Sequence, residues 1–297
     1  MSGHYTVDDL KNLKKTHDTF VGIDSDGCVF DTMSVKQKQF FHGLIVKYWG
    51  LEKCERQLRD CAEFVNLYSK NRGINRFPAT LLTFELFNDH PEVKAAGLPP
   101  VKIAGLKAYC ESGLPLGNPS LKEFAAKSSD PEIKRLLDWS LAVNVAIDRD
   151  MEPVPPFKWA FEALKLIQKS SNAIVVSQTP EEALVKEWKH HNIQGYVSMI
   201  AGQELGTKAE HLTLATEGRF AVEKVLMIGD ALGDLKAAKT VACDFYPIVP
   251  GKEEESWERF CKEAYGKFLD GTYRGSYADG LIQAFDDALP ATPPWKK

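Results

Sequence analysis

The spacing of hydrophobic positions along the chain changes character twice. Near the start, Thr19 to Asp24 is a continuous apolar run of strand character that stops at carboxylates, preceded by a short helical pattern from Thr6 to Lys15. From Met33 onward the period becomes helical. Phe40, Phe41, Leu44, Ile45 and Tyr48 line one wide face of Met33 to Trp49, and Leu58, Cys61, Ala62, Val65 and Leu67 or Tyr68 recur through Glu52 to Lys70. Asn71 to Pro78 breaks the pattern with a glycine, a proline and two arginines before a further helix at Ala79 to Phe87. Residues 88 to 120 are proline-rich loop around a helix at Val101 to Glu111, and helices follow over Ser120 to Lys127 and Pro131 to Ala146. Asp130 suits the N-cap of the last and Pro131 its first helical position. No strand is expected between residues 33 and 150.

The second change comes at Glu152-Pro153-Val154-Pro155-Pro156-Phe157, a stiff connector that reads as a domain hinge. Beyond it strands (Ala173 to Ser177, Tyr196 to Ala201, Val225 to Gly229, Phe245 to Val249) alternate with helices (Lys158 to Gln168, one opening at Thr179-Pro180-Glu181-Glu182, one after Gly206, Leu232 to Lys239). Thr179-Pro180-Glu181-Glu182 and Thr207-Lys208-Ala209-Glu210 both have the form of a capping box. Alternation at this spacing predicts parallel β-α-β units with right-handed crossovers. The expectation is therefore an α/β protein: a doubly wound, Rossmann-like parallel core from residues 1 to 32 and 151 to 297, with a helical insert at 33 to 150. The tail, Glu253 to Leu289, offers two helices around a loop at Asp270 to Ser276.

Composition narrows the function classes. The 297 residues are 44% hydrophobic and 26% charged, ordinary for a soluble globular chain, and the net charge of −4 argues against a general nucleic-acid binder. Six scattered cysteines without a C-x-x-C pair read as thiols of a reducing compartment. The first residues lack the pattern of a signal peptide, and no apolar run approaches the roughly 20 residues of a membrane span, so a cytoplasmic protein without a membrane partner is expected.

The chemistry concentrates where parallel strands end, which is where such sheets bind ligands. The first strand delivers Asp24 and Asp26, then Gly27, Cys28 and Asp31. The second delivers Ser177, Gln178 and Thr179; the helix after Gly206 begins with Lys208; and the strand from Val225 ends in Gly229-Asp230-Ala231-Leu232-Gly233-Asp234. Two acids one residue apart repel each other and call for a cation, while Gly27 lets bare amides approach an anion. Each residue alone has a plainer reading: Ser177 as a turn residue, Lys208 as a surface lysine, Asp230 and Asp234 as helix-start charges. Lys208 is the odd one, since an ammonium in a first helical turn opposes the helix dipole. Other motifs fail on spacing. Gly202 to Lys208 is no P-loop, Asp24-Ser25-Asp26-Gly27 is no EF-hand, and the adjacent His190 and His191 point different ways.

Asp24-Ser25-Asp26-Gly27, Ser177, Lys208 and Gly229-Asp230-Ala231-Leu232-Gly233-Asp234, in this order, resemble the four motifs of the haloacid dehalogenase superfamily. The resemblance spans residues 19 to about 250. It implies an aspartyl-phosphate formed on Asp24, with Asp26 as acid and then base, and Mg²⁺ held by Asp24, the Asp26 carbonyl, Asp230 and Asp234. Ser177 and Lys208 would neutralise the phosphate, with amides around Gly27 and Gln178 completing its cradle. Members that cleave carbon–halogen or carbon–phosphorus bonds lack the second aspartate, so Asp26 points to a phosphatase, with a phosphomutase of the β-phosphoglucomutase kind as the alternative. From another class, a non-catalytic binding protein could stand on the same fold, against which the intact acids speak. The insert sits where the family places a helical, C1-type cap, and Arg72, Asn75 and Arg76 in its glycine-containing break are the candidate contacts for a small phosphorylated metabolite.

Overall fold

The computed structural model describes residues 4–296. Five parallel strands, β1 (Thr19–Ile23), β2 (Ser171–Val176), β3 (Met199–Ala201), β4 (Val225–Gly229) and β5 (Asp244–Pro247), pair in the order 3-2-1-4-5. Apart from Asp244 every strand residue is buried, as expected of a parallel sheet covered on both faces. The chain winds outward from β1 to β3 and then returns to place β4 beside β1. The strand order therefore reverses between β1 and β4, and the carboxyl ends at such a reversal form the natural ligand crevice. The α/β, doubly wound expectation holds. The third strand is shorter than its pattern suggested: Gln194–Tyr196 is a 3₁₀ turn and only Met199–Ala201 joins the sheet.

One glycine in the sheet sets how closely a helix can approach it. A side chain at Gly22, in the middle of β1, would meet Leu212 Cδ2 at 2.7 Å and Val176 Cγ2 at 3.2 Å. Its absence lets the helix Lys208–Thr216 lie directly on the central strand, a close approach that only glycine permits.

The chain divides into two compact units, Met1–Thr32 with Pro153–Ala288 and Met33–Glu152 with Leu289–Lys297. The second is helical, with no strand among its described residues. Its core is aromatic: Trp139 lies 5.9 Å from both Phe41 and Trp49 between ring centroids, and Phe77 meets Tyr109 edge-on at 5.1 Å. The first helical stretch widens into a π turn at Lys36–Phe41 before resuming as His42–Trp49. Helix Arg76–Asp89 begins three residues earlier than its pattern suggested. Asn75 caps it, and Pro78 falls in the first turn, where a missing N–H costs no helical hydrogen bond. No helix among the described residues is long and apolar enough to cross a membrane.

The C-terminal stretch departs from the expectation of a core that runs to residue 297. From Leu289 the chain joins the helical unit instead. Trp295 packs 5.2 Å from the His90 ring and 6.0 Å from Phe64, Lys296 Nζ lies 2.5 Å from Asp89 Oδ2, and the Lys70 amide donates to the Pro290 carbonyl at 3.4 Å. The run Pro290-Ala291-Thr292-Pro293-Pro294 has no period to announce this, because a strap anchored by one tryptophan needs none.

Two features of the helical unit have measurable consequences for stability. A chain ending at Ala288 gives up the fully buried Leu289 and the Trp295 contacts, and is expected to lose about 2–4 kcal/mol, read by urea unfolding with a probe in the helical unit. His42 is fully buried with neither ring nitrogen hydrogen-bonded, and burial, reinforced by Arg59 and Lys38, pushes its imidazole down to about 3. A base whose folded value is depressed leaves the unfolded chain binding more protons, so its contribution is intact above about pH 6.5 and falls as pH drops toward 3. The stability of the native protein relative to His42→Leu should therefore decline by roughly 1.4 kcal/mol per pH unit across that window; parallel curves would contradict it.

Candidate active site

The end of β1 runs into a tight turn. The Asp24 amide still pairs with the Ile228 carbonyl of β4 at 2.9 Å, and then the amides of Cys28, Val29 and Phe30 all turn back onto the Ser25 carbonyl. Gly27, at φ 80°, occupies the left-handed conformation this reversal needs, and its amide donates to Phe30 O at 2.8 Å. The turn is braced from two distant helices. Trp188 Nε1 donates to Ser25 Oγ at 3.0 Å and Trp257 Nε1 to the Cys28 carbonyl at 2.8 Å, both indoles fully buried.

Three carboxylates meet above this turn. Asp24, Asp230 and Asp234 are buried, and one oxygen of each lies within 4.8 Å of the others. Asp234 Oδ2 accepts the amides of Asp230 (3.1 Å) and Ala231 (3.0 Å), closing the loop that leads from β4 into the helix Leu232–Thr240. A side chain at Gly229 would overlap the Asp234 carboxylate, so the glycine of this motif is a packing requirement. Lys208 Nζ sits between the acids, 2.8 Å from Asp24 Oδ2 and 2.5 Å from Asp234 Oδ1. The helix that carries it starts with a formed capping box, Thr207 with Glu210. The lysine opposes the helix dipole because these carboxylates more than compensate.

The electrostatics are lopsided. Burial lifts the Asp24 carboxyl well above the usual range, opposed by Lys208 and reinforced by Asp234 and Asp230. Burial pulls the Lys208 ammonium down, but Asp234 and Asp24 outweigh it and hold it above the ordinary lysine range. By formal charge, three buried carboxylates against one ammonium carry an excess of two negative charges when all are ionised. An oxygen-lined, doubly negative cluster is what a hard divalent cation fits. Cys28, beside it, is kept a neutral thiol first by burial and then by the same carboxylates, which makes it a packing residue; all six cysteines are free.

Ser177 directly follows β2, 2% exposed, with its amide bonded to Ala201 O at 3.0 Å. Its Oγ accepts the Thr179 amide at 3.2 Å, which leaves its own O–H as a donor. Gln178 Nε2 reaches the Gly206 carbonyl at 2.9 Å, tying the loop after β2 to the loop before Lys208. The box anticipated at Thr179-Pro180-Glu181-Glu182 does not form. Helix Glu181–His190 takes its N-terminal bond from afar, Glu204 accepting the Glu181 amide at 3.0 Å, while the Thr179 hydroxyl donates to Asp26 Oδ2 at 2.6 Å. Asp26 Oδ1 accepts a second hydroxyl, from Thr32. A strong partner for the hydroxyl, a carboxylate 153 residues away in sequence, outcompeted the local cap.

The three candidate residues of the insert have structural work there. Asn75 accepts the Phe77 amide as N-cap and donates to Leu116 O, both at 3.0 Å. Arg72 is 3% exposed and donates to the Leu67 carbonyl at 2.9 Å. Arg76 bonds Ser140 and Asn144 and lies over the Phe41 ring, burial lowering its guanidinium. The sequence pattern does not single out Thr32, Trp188 or Trp257, and it marks Thr179 only as a cap. Nothing local distinguishes an indole that serves a turn far away in the chain.

Removing the ammonium from this cluster should be costly. Lys208→Met is expected to destabilise the chelator-treated protein by about 3–5 kcal/mol, measured by denaturant unfolding, because it strands buried carboxylates.

No family model matches the chain, and no curated protein matches it. Solved structures do. A haloacid dehalogenase-like family hydrolase from Xanthomonas campestris is 11% identical, covering 87% of this chain and 95% of that one with a TM-score of 0.45. A haloacid dehalogenase-like family protein from Streptococcus pneumoniae is 14% identical, covering 81% and 90% with a TM-score of 0.42. The chain has a doubly wound α/β fold with a 3-2-1-4-5 parallel sheet, and the four motifs that resemble those of the haloacid dehalogenase superfamily stand in order at the ends of β1, β2 and β4 and at the start of helix Lys208–Thr216.

Proposed function

We propose that the protein is a Mg²⁺-dependent phosphatase that hydrolyses a small phosphorylated metabolite through a phosphoaspartate on Asp24. The observation that carries this reading is the pairing of Asp24, held by Lys208 and the Ser25 amide (2.8 Å to Oδ1), with a second carboxylate at Asp26 that is held separately by hydroxyls. The two acids stand in different environments and can take different roles.

Asp24, Asp230, Asp234 and the Asp26 carbonyl would hold the cation, which supplies positive charge for the phosphoryl oxygens and offsets the buried acids. Asp24 forms a bond to phosphorus as the bond to the leaving oxygen breaks, and Asp26 gives that oxygen its proton. The Asp26 carboxylate then takes a proton from water as the water oxygen attacks phosphorus, and Asp24 leaves as a free carboxylate. Lys208 and the Ser177 hydroxyl, with the Gln178 amide, meet the charge on the equatorial oxygens in both steps, whereas the Gly27 amide expected in the cradle is taken by the Phe30 carbonyl.

Asp24→Asn should lower Mg²⁺-dependent phosphate release from p-nitrophenyl phosphate by about 10³-fold or more. Turnover at the native rate would overturn the mechanism. Multiple-turnover release in the native protein without added sugar bisphosphate separates hydrolysis from a mutase.

A further inference from the structure

Both oxygens of the Asp26 carboxylate are occupied by threonine hydroxyls, one to each: Thr32 on Oδ1 and Thr179 on Oδ2 at 2.6 Å. The two threonines come from opposite directions along the chain. Thr32 lies six residues past Asp26, fully buried, at the start of the helix Thr32–Val35. Thr179 belongs to the loop after β2, and its backbone is fixed on both sides, its amide on Ser177 Oγ (3.2 Å) and its carbonyl on the Gln203 amide (3.1 Å). Its hydroxyl therefore has a set position, and it donates to Asp26 rather than serving the helix start that directly follows it.

Proton transfer demands such control. An aspartate just past a strand end, in a turn, has several staggered rotamers open to it, and a general acid works only within about 2.6–3.2 Å of its target. We propose that Thr179, with Thr32 as the second arm, is a positioning residue that sets the Asp26 carboxylate and ties it to the Ser177 hydroxyl. This rests on the reading of Asp26 as acid and base. When a leaving oxygen arrives, one carboxylate oxygen exchanges its threonine for it, and the remaining threonine keeps the carboxylate plane. The proton passes from the carboxyl to the leaving oxygen, and later from water back to the carboxylate. No further reactant is needed. Through its amide, Thr179 also keeps the Ser177 hydroxyl in register with the acid, so the group that meets the phosphate and the group that meets the leaving oxygen move together.

The role predicts a signature that lost folding alone would not produce. A misplaced acid slows the expulsion of a poor leaving group far more than that of a good one. In Thr179→Val, kcat/KM for phenyl phosphate should fall by about 10- to 100-fold while that for p-nitrophenyl phosphate falls by less than about 3-fold, and Thr179→Ser should restore both. Thr32→Val should show the same split. Thermal melts accompany each variant, and Thr179→Ala replaces the valine variant if that one does not fold. Equal losses on both substrates, unchanged kinetics, or failure of the serine to rescue would overturn the proposal. Asp24→Asn run beside them keeps the two claims apart. If it stays active, the phosphoaspartate reading fails; if it is inactive and the threonine variants show no leaving-group split, only the positioning role fails.

Discussion

Lys208, buried between Asp24 and Asp234, is the contact that the architecture of the core unit serves. Buried ion pairs seldom offset their desolvation, and a cluster with three acids and one base is worse placed than a balanced pair. Its surroundings are arranged to make it possible. The strand order reverses between β1 and β4, which puts Asp24 and Asp230 on adjacent strand ends. Gly22 lets the lysine's helix lie against β1, and Gly229 leaves room for Asp234 to fold back onto its own loop. Two glycines and one topological turn thus fix three elements around a charge that wants a cation. An arrangement that costs stability and still recruits so much structure is accounted for by chemistry.

Around the cluster lies a ring of neutral donors that hold shape without adding charge. The indoles of Trp188 and Trp257 and the hydroxyls of Thr32 and Thr179 all end on the turn from Asp24 to Cys28. Trp257 gives the C-terminal extension a role: helix Glu253–Arg259 buries it and delivers its N–H to the Cys28 carbonyl. The last residues of that extension serve the helical unit instead, where Trp295 packs against Phe64 and His90. One tail braces the turn after β1 and then completes a second core.

How far the sequence could be read depended on how local each signal was. Strands and helices with strong periodicity lay where the pattern placed them, and the Thr207–Glu210 box formed because both partners fall within one turn of helix. Pro78, a breaker by rule, proved to be a first-turn residue once Asn75 capped the helix ahead of it. Thr179 carried the same local signal as Thr207 and did otherwise, because Asp26 offered its hydroxyl a charged acceptor and Glu204 took over the helix amide. Arg72 and Arg76, polar residues in a break between helices, turned inward onto carbonyls and an aromatic ring.

The amino-acid sequence by itself determined the α/β class, the strand ends at which chemistry collects and the order of the acids, hydroxyl and lysine along the chain. These come from periodicity and from the residue types that stand together in the motifs. Only the tertiary structure decided that Lys208 joins Asp24 to Asp234, that Thr179 serves Asp26 instead of its own helix, and that the final residues belong to the helical unit. Each is a choice between a near partner and a stronger one far off in the chain, and such a choice is made by packing, which the order of residues does not display.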